Sequence, residues 1–204
     1  DELDRFHKKT SLTLFFLGAV LFACILVGFP YLCDFIKNGD QLRKAEPVVW
    51  ILGFAMLFDL ATGFNGHIIS LSKHYRFNII VMLFLAMTTM VLNWIFITKT
   101  TFGIMGIAMA TAISLTLFNI IKIVFNYIKF KVSPLSIEMI YAAIICTLAI
   151  TLAIILPNFK SSLANLIFKP GLVLVIIFAG NYFMKIFPVE DYLNKKFFQS
   201  LFKF

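Results

Sequence analysis

The residue of this sequence best suited to chemistry is Asp59, which lies inside the run 50–76, WILGFAMLFDLATGFNGHIISLSKHYR. The apolar residues around Asp59 predict a helix that spans a membrane. An ionised Asp near the middle of a bilayer costs about 2.5–3.5 kcal/mol on insertion scales. Such a side chain is normally retained where it meets a partner, a cavity or a proton. We therefore expect Asp59 to take part in function.

The helix that carries Asp59 is weakened by Gly63, Asn65 and Gly66. Irregular backbone at membrane depth is tolerated only where it is buried in protein or lines a cavity. The same run ends in a basic cluster formed by Lys73, His74 and Arg76. A helix that can open beside a carboxylate, inside an otherwise apolar chain, indicates transport.

The composition indicates a membrane protein. Hydrophobic residues make up 61% of the 204 residues and charged residues 14%, which excludes an ordinary soluble domain. The net charge of +8 does not predict nucleic-acid binding, because the cations are scattered between apolar runs and form no patch. The three cysteines, Cys24, Cys33 and Cys146, have neither a disulfide pattern nor a metal-ligand spacing.

The fold class predicted from these runs is all-α, a polytopic membrane bundle of about six transmembrane helices. The predicted spans are 11–33, 47–71, 77–97, 103–125, 139–156 and 171–187, with a charged lead-in at 1–10 and a polar loop at 34–46. All six prolines lie at or near the ends of the predicted spans, where a missing backbone N–H does least harm. Pro47 and Pro170 open the second and sixth spans. The tail at 188–204 predicts either an interfacial helix or a solvated segment.

The basic residues predict the orientation, because Lys and Arg accumulate on the cytoplasmic side. Six spans place both ends of the chain on one side of the membrane. With the ends cytoplasmic, twelve Lys and Arg residues lie on that side and six on the other. Lys122 and Lys185 lie inside apolar runs near cytoplasmic ends, where both can extend to the interface, so neither is given a special role.

Two stretches carry a resemblance to a known family. ILGFAMLFDLATGFNGHIISLSKHYRF at 51–77 resembles the tenth-helix region of bacterial lipid-linked oligosaccharide (O-antigen or polysaccharide) flippases, a branch of the multidrug/oligosaccharidyl-lipid/polysaccharide exporter superfamily. VLNWIFITKTTFGIMGIAMATAISLTLFNIIKIVF at 91–125 resembles that family's sequence of an Asn, a short outer link, Gly-hydrophobic-x-Gly and an Ala/Thr-rich helix. The chain departs from the family at 98–102, where an aliphatic-Pro turn is common.

The resemblance covers about residues 48–132 and implies a partial exporter-superfamily fold. The parent protein would have fourteen helices, in two six-helix lobes and a C-terminal pair. Residues 1–132 would be the last four helices of the C-terminal lobe, 133–187 the additional pair and 188–204 an interfacial or cytoplasmic tail. The chain, which starts at Asp1, is then a fragment whose N-terminal lobe is missing. The family's members act in the bacterial inner membrane.

The resemblance further implies the substrate. Family members carry an undecaprenyl-pyrophosphate-linked oligosaccharide from the inner to the outer leaflet by alternating access, through a hydrated, cationic groove. The partners implied are that lipid-linked oligosaccharide, membrane lipid and the missing lobe, with no nucleic acid. No cofactor is expected, and coupling would use a proton or Na⁺ gradient or the membrane potential.

Five polar residues are predicted to line the substrate or ion pathway, namely Asp59, Asn65, His67, Asn93 and Asn119. Asp59 would bind a coupling proton or Na⁺, accept hydrogen bonds from sugar hydroxyls, or pair with an Arg of the absent lobe. Its plainer interpretation is a protonated carboxyl, bonded to a neighbouring Thr or Ser, that only fixes helix packing. Interhelical hydrogen bonds, which average about 0.6 kcal/mol, explain Asn93 and Asn119 equally well. A surface-facing imidazole is the simpler interpretation of His67.

Two further sets of residues receive predicted roles. Lys73 and Arg76 would meet the pyrophosphate at the cytoplasmic mouth through charge-assisted hydrogen bonds, although ordinary positive-inside charge explains them more simply. Small residues predict close helix packing, which is the role assigned to Gly63, Gly66, Gly103, Gly106 and Ala110.

Three alternatives to a flippase stay open. A cation-coupled drug exporter of the same superfamily would differ in the acidic residues of the missing half. A membrane-embedded polysaccharide polymerase or ligase would show a long external loop with Arg and His, and the sequence has no such loop. Because the sequence also has no catalytic motif, we expect that the chain is not an enzyme. A membrane scaffold would not need an Asp at mid-depth.

Overall fold

The computed structural model of the chain describes residues 2–187, and that part is entirely helical, without strands. Its helices are α1 Glu2–Cys33, α2 Gly39–Arg43, α3 Glu46–Thr62, α4 Asn65–Ser70, α5 Tyr75–Lys99, α6 Ile104–Phe130, α7 Ile137–Ile155 and α8 Ser162–Met184. Five of these, α1, α5, α6, α7 and α8, are long and apolar enough to cross a membrane. The protein is therefore an all-α, multi-pass membrane protein. The predicted tail at 188–204 lies outside the described residues.

The first helix begins earlier than the sequence predicted. Residues 2–10, expected as a charged lead-in, form the first turns of α1. Asp4 and Lys8 make an ion pair at 2.7 Å one turn apart, and Asp4 also accepts a hydrogen bond from the backbone N–H of Ser133 at 3.0 Å. The lead-in is helical because these contacts join its charges to each other and to the link before α7.

The second predicted span is not one continuous helix. The chain forms α3, which has 17 residues with Pro47 in its first turn, and then the short helix α4. The helix is interrupted at Gly63 and Phe64, where the sequence predicted that it weakens, so the predicted span over 47–71 consists of two helical pieces. Seventeen residues is the lower limit of the roughly 17–25 that a bilayer requires. The predicted polar loop at 34–46 likewise contains a helix, α2.

Helix α5 extends beyond its predicted span at both ends and α6 at its C-terminal end, and the turn between them uses Gly103. Its φ of +56° combined with a ψ of −129° is readily adopted only by glycine, and α6 begins at the next residue. Lys131 ends α6 in the left-handed conformation, with a φ of +57°. Lys129, which was expected in the link, therefore lies in the last turn of α6.

The last described helix also begins earlier than predicted. Pro170 was expected to open the sixth span, whereas α8 starts at Ser162 and contains Pro170 in its interior. A proline there removes one hydrogen bond of the helix. Its ring faces Gly28 of α1, where a Cβ atom would lie 3.4 Å from Pro170 Cγ. The prediction that every proline lies near a span end is therefore wrong for Pro170.

Two helices organise the bundle. The central helix α1 packs against α3, α7 and α8, while α6 packs against α3, α4 and α5. The apolar core lies mainly between α1, α7 and α8, where Ala23, Ala149, Ala153, Val173 and Ile177 are fully buried. Because α7 and α8 share this core with α1, they form one packed unit with it. The division of the chain at 132 stays a prediction.

Candidate functional site

Polar side chains are buried along one side of α6. Asn119, Lys122 and Asn126 are separated by three and four residues, which places them on the same face of the helix. None of the three is more than 6% exposed. We call the polar seam the set formed by these three residues and by four residues of neighbouring helices, namely His7, Ser11, Asp59 and Asn65. It lies where α6, α3, α4 and α1 meet.

Asp59 is half-buried and has a hydrogen-bond partner on another helix. The side-chain amide of Asn119 donates to Asp59 Oδ1 at 2.8 Å, which joins α6 to α3. The neighbouring Thr62 hydroxyl donates to the backbone carbonyl of Asp59 at 3.0 Å and not to its carboxyl group. The carboxyl group of Asp59 is thus bonded to an amide on another helix. The alternative interpretation, in which this carboxyl group is bonded to a neighbouring Thr or Ser, does not describe its contacts.

Lys122 differs most from its predicted position. It was expected to extend to the membrane interface, yet its side chain is 6% exposed and lies inside the bundle. Its Nζ atom stands 3.8 Å from the centre of the Phe118 ring, one turn away on α6, and it interacts electrostatically with Asp59. A buried cation near a carboxylate is expensive to desolvate, so Lys122 belongs with the candidate site.

Asn65 connects three helices. Its Oδ1 atom accepts a hydrogen bond from the Asn126 amide at 2.7 Å and lies 3.1 Å from His7 Nε2. The Asn126 amide also approaches the Asn65 backbone carbonyl at 3.2 Å. Asn65 is the first residue of α4, so these bonds fix the chain directly after the interruption at Gly63.

Several buried atoms of the polar seam have no hydrogen-bond partner within residues 2–187. They are His7 Nδ1, Ser11 Oγ, Asn65 Nδ2, Asn119 Oδ1 and Asn126 Oδ1. A buried polar atom without a partner costs about 1–3 kcal/mol. Most such atoms in proteins are bound by water or by another group, so the polar seam is suited to hold small polar species.

Four of the predicted site residues lie away from the polar seam. His67, Lys73 and Arg76 are exposed around the end of α4 and the start of α5, and Arg76 Nε donates to the neighbouring Tyr75 hydroxyl at 3.3 Å. Asn93 is half-buried on α5, and its Oδ1 atom has no partner in the described part of the chain. The structure therefore brings together Asp59, Asn65 and Asn119 of the five predicted pathway residues.

The small residues predicted to pack helices do so unequally. A Cβ atom on Gly106 would stand 3.1 Å from Phe96 Cβ, and one on Gly63 would stand 3.0 Å from Leu14 Cδ1, so both allow close approach. Ala110 is fully buried. Gly66 has only Lys122 Nζ nearby, at 4.0 Å, and Gly103 has nothing within 4 Å. Gly103 thus provides the positive φ of the turn in place of the packing role predicted for it.

A second polar network joins the other end of α1 to the link between α7 and α8. Asp34 pairs with Arg43 at 2.5 Å and accepts a hydrogen bond from the Ser162 hydroxyl at 2.6 Å. The Tyr31 hydroxyl donates to Asn158 Oδ1 at 2.7 Å, and buried Lys169 donates to the Leu156 carbonyl at 3.2 Å. These groups satisfy one another, so we interpret the network as structural.

An apolar groove of about 810 Å³ runs between α3 and α7, with α1 at its base. Fourteen residues line it, and Ser136 and Thr147 are the polar ones among them. Phe15, Leu57 and Ile140 represent the three helices that form its walls. The groove offers a surface for a hydrocarbon chain.

Sequence reasoning missed four members of the polar seam, His7, Ser11, Lys122 and Asn126. A signal was present, since Asn119, Lys122 and Asn126 share a helical face and His7 and Ser11 are four residues apart. Within residues 2–187 no three His, Cys, Asp or Glu side chains gather as they would around a metal ion. Comparison of the chain with protein-family models, curated proteins and solved structures found no match.

Proposed function

We propose that this chain is the C-terminal part of a transporter in the bacterial inner membrane, in which α3 and α4 together form a sixth crossing beside the five long helices and both described ends of the bundle are cytoplasmic. The transporter moves an undecaprenyl-pyrophosphate-linked oligosaccharide to the outer leaflet for surface polysaccharide biosynthesis. The family identity rests on the sequence resemblance at 48–132. The structural support is the polar seam, and its central observation is the contact between Asp59 and Asn119 beside buried Lys122.

Charge buried at a helix interface supports a transport role. Burying a charged group costs free energy that well-packed apolar residues of similar size do not cost. Polar residues within transmembrane helices commonly mark substrate and ion pathways. Asp59 and Lys122 add no evident packing advantage over apolar residues, which favours a function in binding or in coupling.

The interruption between α3 and α4 supports movement near this charge. Transporters that alternate their access often place binding groups at broken helices and rock one bundle against another. Here Gly63 and Phe64 separate α3 from α4 four residues after Asp59, and Asn65 fixes the second piece to α6 and α1. In the proposal, breaking these bonds lets α4 move while α6 keeps its place.

The surfaces of the bundle fit the two halves of the proposed substrate. The groove between α3 and α7 suits a prenyl chain, and exposed Lys73 and Arg76 suit the pyrophosphate at the cytoplasmic mouth. Val81 is the one buried residue of α5, whose face away from α6 is available to lipid or to a second lobe.

The proposal is tested by deleting the gene that encodes the full-length parent. We expect loss of surface glycan and accumulation of the lipid-linked oligosaccharide on the inner leaflet, both reversed by the parent gene on a plasmid. Normal glycan together with increased sensitivity to cationic drugs would contradict the flippase assignment and favour the drug-exporter alternative.

A further inference from the structure

The groove between α3 and α7 has the length of one half of a membrane. The helical part of its α7 wall runs from Ile137 to Leu148, which is about 16 Å at about 1.5 Å per residue. The hydrocarbon core of a bilayer is about 30 Å thick, so the groove spans one leaflet. Its volume of about 810 Å³ lies within the roughly 300–1,000 Å³ of pockets that bind small molecules.

A phospholipid acyl chain is the occupant that matches this length. The groove ends beside Phe54, which lies midway along α3, and beside Leu148 of α7. A helix of a second lobe or of a second copy would cross the whole bilayer and would extend past this end. An acyl chain of one leaflet also ends near the middle of the bilayer, so it fits the groove over its full length.

Charged side chains stand at the other end of the groove, near the membrane surface. Lys8 lies two turns before groove-lining Phe15 on the same face of α1, and it pairs with Asp4 at 2.7 Å. The backbone N–H of Ser133, in the link before α7, donates to Asp4 at 3.0 Å. Glu138, in the first turn of α7, interacts electrostatically with Lys8. We call Asp4, Lys8 and Glu138 the groove mouth.

The groove mouth carries one negative charge more than it balances. Both carboxylate oxygens of Asp4 are bonded, Oδ2 to Lys8 and Oδ1 to Ser133. Glu138 forms no ion pair within residues 2–187, so its charge is the one that a ligand can pair with. The Lys8 ammonium has three N–H donors, and in that same part of the chain one of them is used, for Asp4. The groove mouth therefore suits a headgroup that brings both a cation and an acceptor.

We propose that the groove binds one acyl chain of an aminophospholipid of the phosphatidylethanolamine type, whose ammonium group pairs with Glu138 and whose phosphate accepts hydrogen bonds from Lys8. Phosphatidylglycerol would bring a phosphate for Lys8 but no cation for Glu138, so it would add a second unpaired negative charge. Phosphatidylcholine has a cation without an N–H donor, so it cannot make a charge-assisted hydrogen bond to the Glu138 carboxylate.

This lipid site does not rest on the proposed function. Its evidence is the groove and the charges of the groove mouth, and neither depends on the family resemblance. The prenyl chain of the proposed substrate would enter the same groove only after the acyl chain leaves it. The proposed orientation decides only which leaflet the lipid comes from.

The test of the headgroup is native mass spectrometry of the purified 204-residue chain in detergent. The chain is incubated with equal amounts of palmitoyl-oleoyl phosphatidylethanolamine, phosphatidylglycerol and phosphatidylcholine. We expect one retained phosphatidylethanolamine per chain, about threefold in excess over either competitor, because ion pairs near the surface are weak. Glu138→Gln should remove this preference. Glu46→Gln, in the first turn of α3 at the opposite end of the groove, should keep it.

The test of the hydrocarbon site fills the groove with a side chain. Ala143 is half-buried and lines the groove, so Ala143→Trp should lower the retention of all three phospholipids. Ala86→Trp, on the exposed face of α5, is the matched control and should bind like the parent chain. Gel filtration and circular dichroism check that both variants fold. Glu138→Gln leaves the groove unchanged, so the headgroup result decides the proposal if Ala143→Trp does not fold.

Four results would overturn the proposal. They are equal retention of the three phospholipids, an unchanged preference in Glu138→Gln, equal retention by the Ala143→Trp and Ala86→Trp variants, and a lipid-free dimer in which a second copy covers the groove. A separate competition adds undecaprenyl phosphate. Its retention in preference to phosphatidylethanolamine would assign the groove to the proposed substrate and contradict the phospholipid site. None of these measurements uses glycan export, so the lipid site and the flippase assignment can fail independently.

Discussion

Asn65 joins three helices through a single side chain. Its Oδ1 atom serves both Asn126 of α6 and His7 of α1, while its backbone begins α4. Replacing it removes the acceptor of the buried His7 ring and leaves the Asn126 amide with only the Asn65 backbone carbonyl, at 3.2 Å. The energetic consequence of such a loss exceeds the net contribution of the bonds themselves.

We predict that Asn65→Ala lowers the free energy of unfolding by about 1–3 kcal/mol, the cost of leaving buried polar groups unpaired. Asn93→Ala is the matched control, because Asn93 is half-buried and its Oδ1 atom has no partner in the described residues. It should change stability by about 0.5 kcal/mol or less. Unfolding in mixed micelles, followed by tryptophan fluorescence, measures both. Equal losses would show that Asn65 is not a special contact.

At the level of single residues, the sequence predicted that a polar site exists but identified only three of the seven residues of the polar seam. Asp59, Asn65 and Asn119 were recognised because a polar residue is unusual in an apolar run. Lys122 was assigned to the interface because a long cationic side chain near a helix end can usually reach water. Its burial depends on the neighbouring α3 and α4, whose positions the sequence of α6 does not contain.

At the level of helices, two glycines allow close packing between α1 and α3. Gly18 of α1 faces Leu60, and Gly53 of α3 faces Phe22, with no room for a Cβ atom at either glycine unless the neighbour moves. Small residues allow such approach where lipid provides no hydrophobic drive. This contact positions α3, and with it Asp59, against the central helix.

We predict that Gly53→Ala destabilises the protein by about 1–3 kcal/mol, the usual penalty for overpacking. The added methyl group would overlap the Phe22 ring, which other aromatic rings hold in place. Gly171→Ala in α8 is the control, since nothing lies within 4 Å of its Cβ position. Alanine is the better helix former, so this variant should not lose stability. A Gly53→Ala protein as stable as Gly171→Ala would contradict the close contact.

Sequence located most of the long helices but not their ends. Apolar runs identified the five long membrane helices, because length and hydrophobicity are properties of the run itself. The charged first turns of α1 and the polar first turns of α8 were missed, since contacts such as those of Asp4 with Lys8 and Ser133 stabilise them. The packing at Gly18 and Gly53 was also missed, because it depends on which helices become neighbours.

For the whole molecule, the proposed orientation counts α3 with α4 as a sixth crossing, so it places the link after α1 outside the cell and the end of α6 in the cytoplasm. We predict that Lys37→Cys is labelled by a membrane-impermeant maleimide in intact spheroplasts, whereas Lys129→Cys is labelled only after permeabilisation. Both lysines are exposed, so access depends on the side of the membrane. The chain without an added cysteine controls for Cys24, Cys33 and Cys146. Labelling of position 129 in intact spheroplasts would reverse the orientation.

The fragment interpretation also makes a prediction for the whole molecule. Residues 1–204 expressed alone should enter the membrane but should not restore glycan export in a flippase deletion strain. In the proposal, the hydrated groove for the substrate lies between two lobes, and most of one of its walls would come from the missing lobe. Membrane fractionation and surface-glycan staining measure the two properties, with the full-length parent as the positive control. Restored export by residues 1–204 would contradict the half-transporter interpretation.

The most direct test of the account is surface-glycan display by the full-length parent carrying Asp59→Asn. Asparagine keeps an oxygen that can accept the Asn119 hydrogen bond, so helix packing is preserved while the charge and the exchangeable proton are lost. The control is Asp40→Asn, an exposed carboxylate in α2. We predict normal amounts of both variants in the membrane, normal glycan for Asp40→Asn and strongly reduced glycan for Asp59→Asn. Normal glycan display by Asp59→Asn would contradict a transport role and reduce Asp59 to a packing residue.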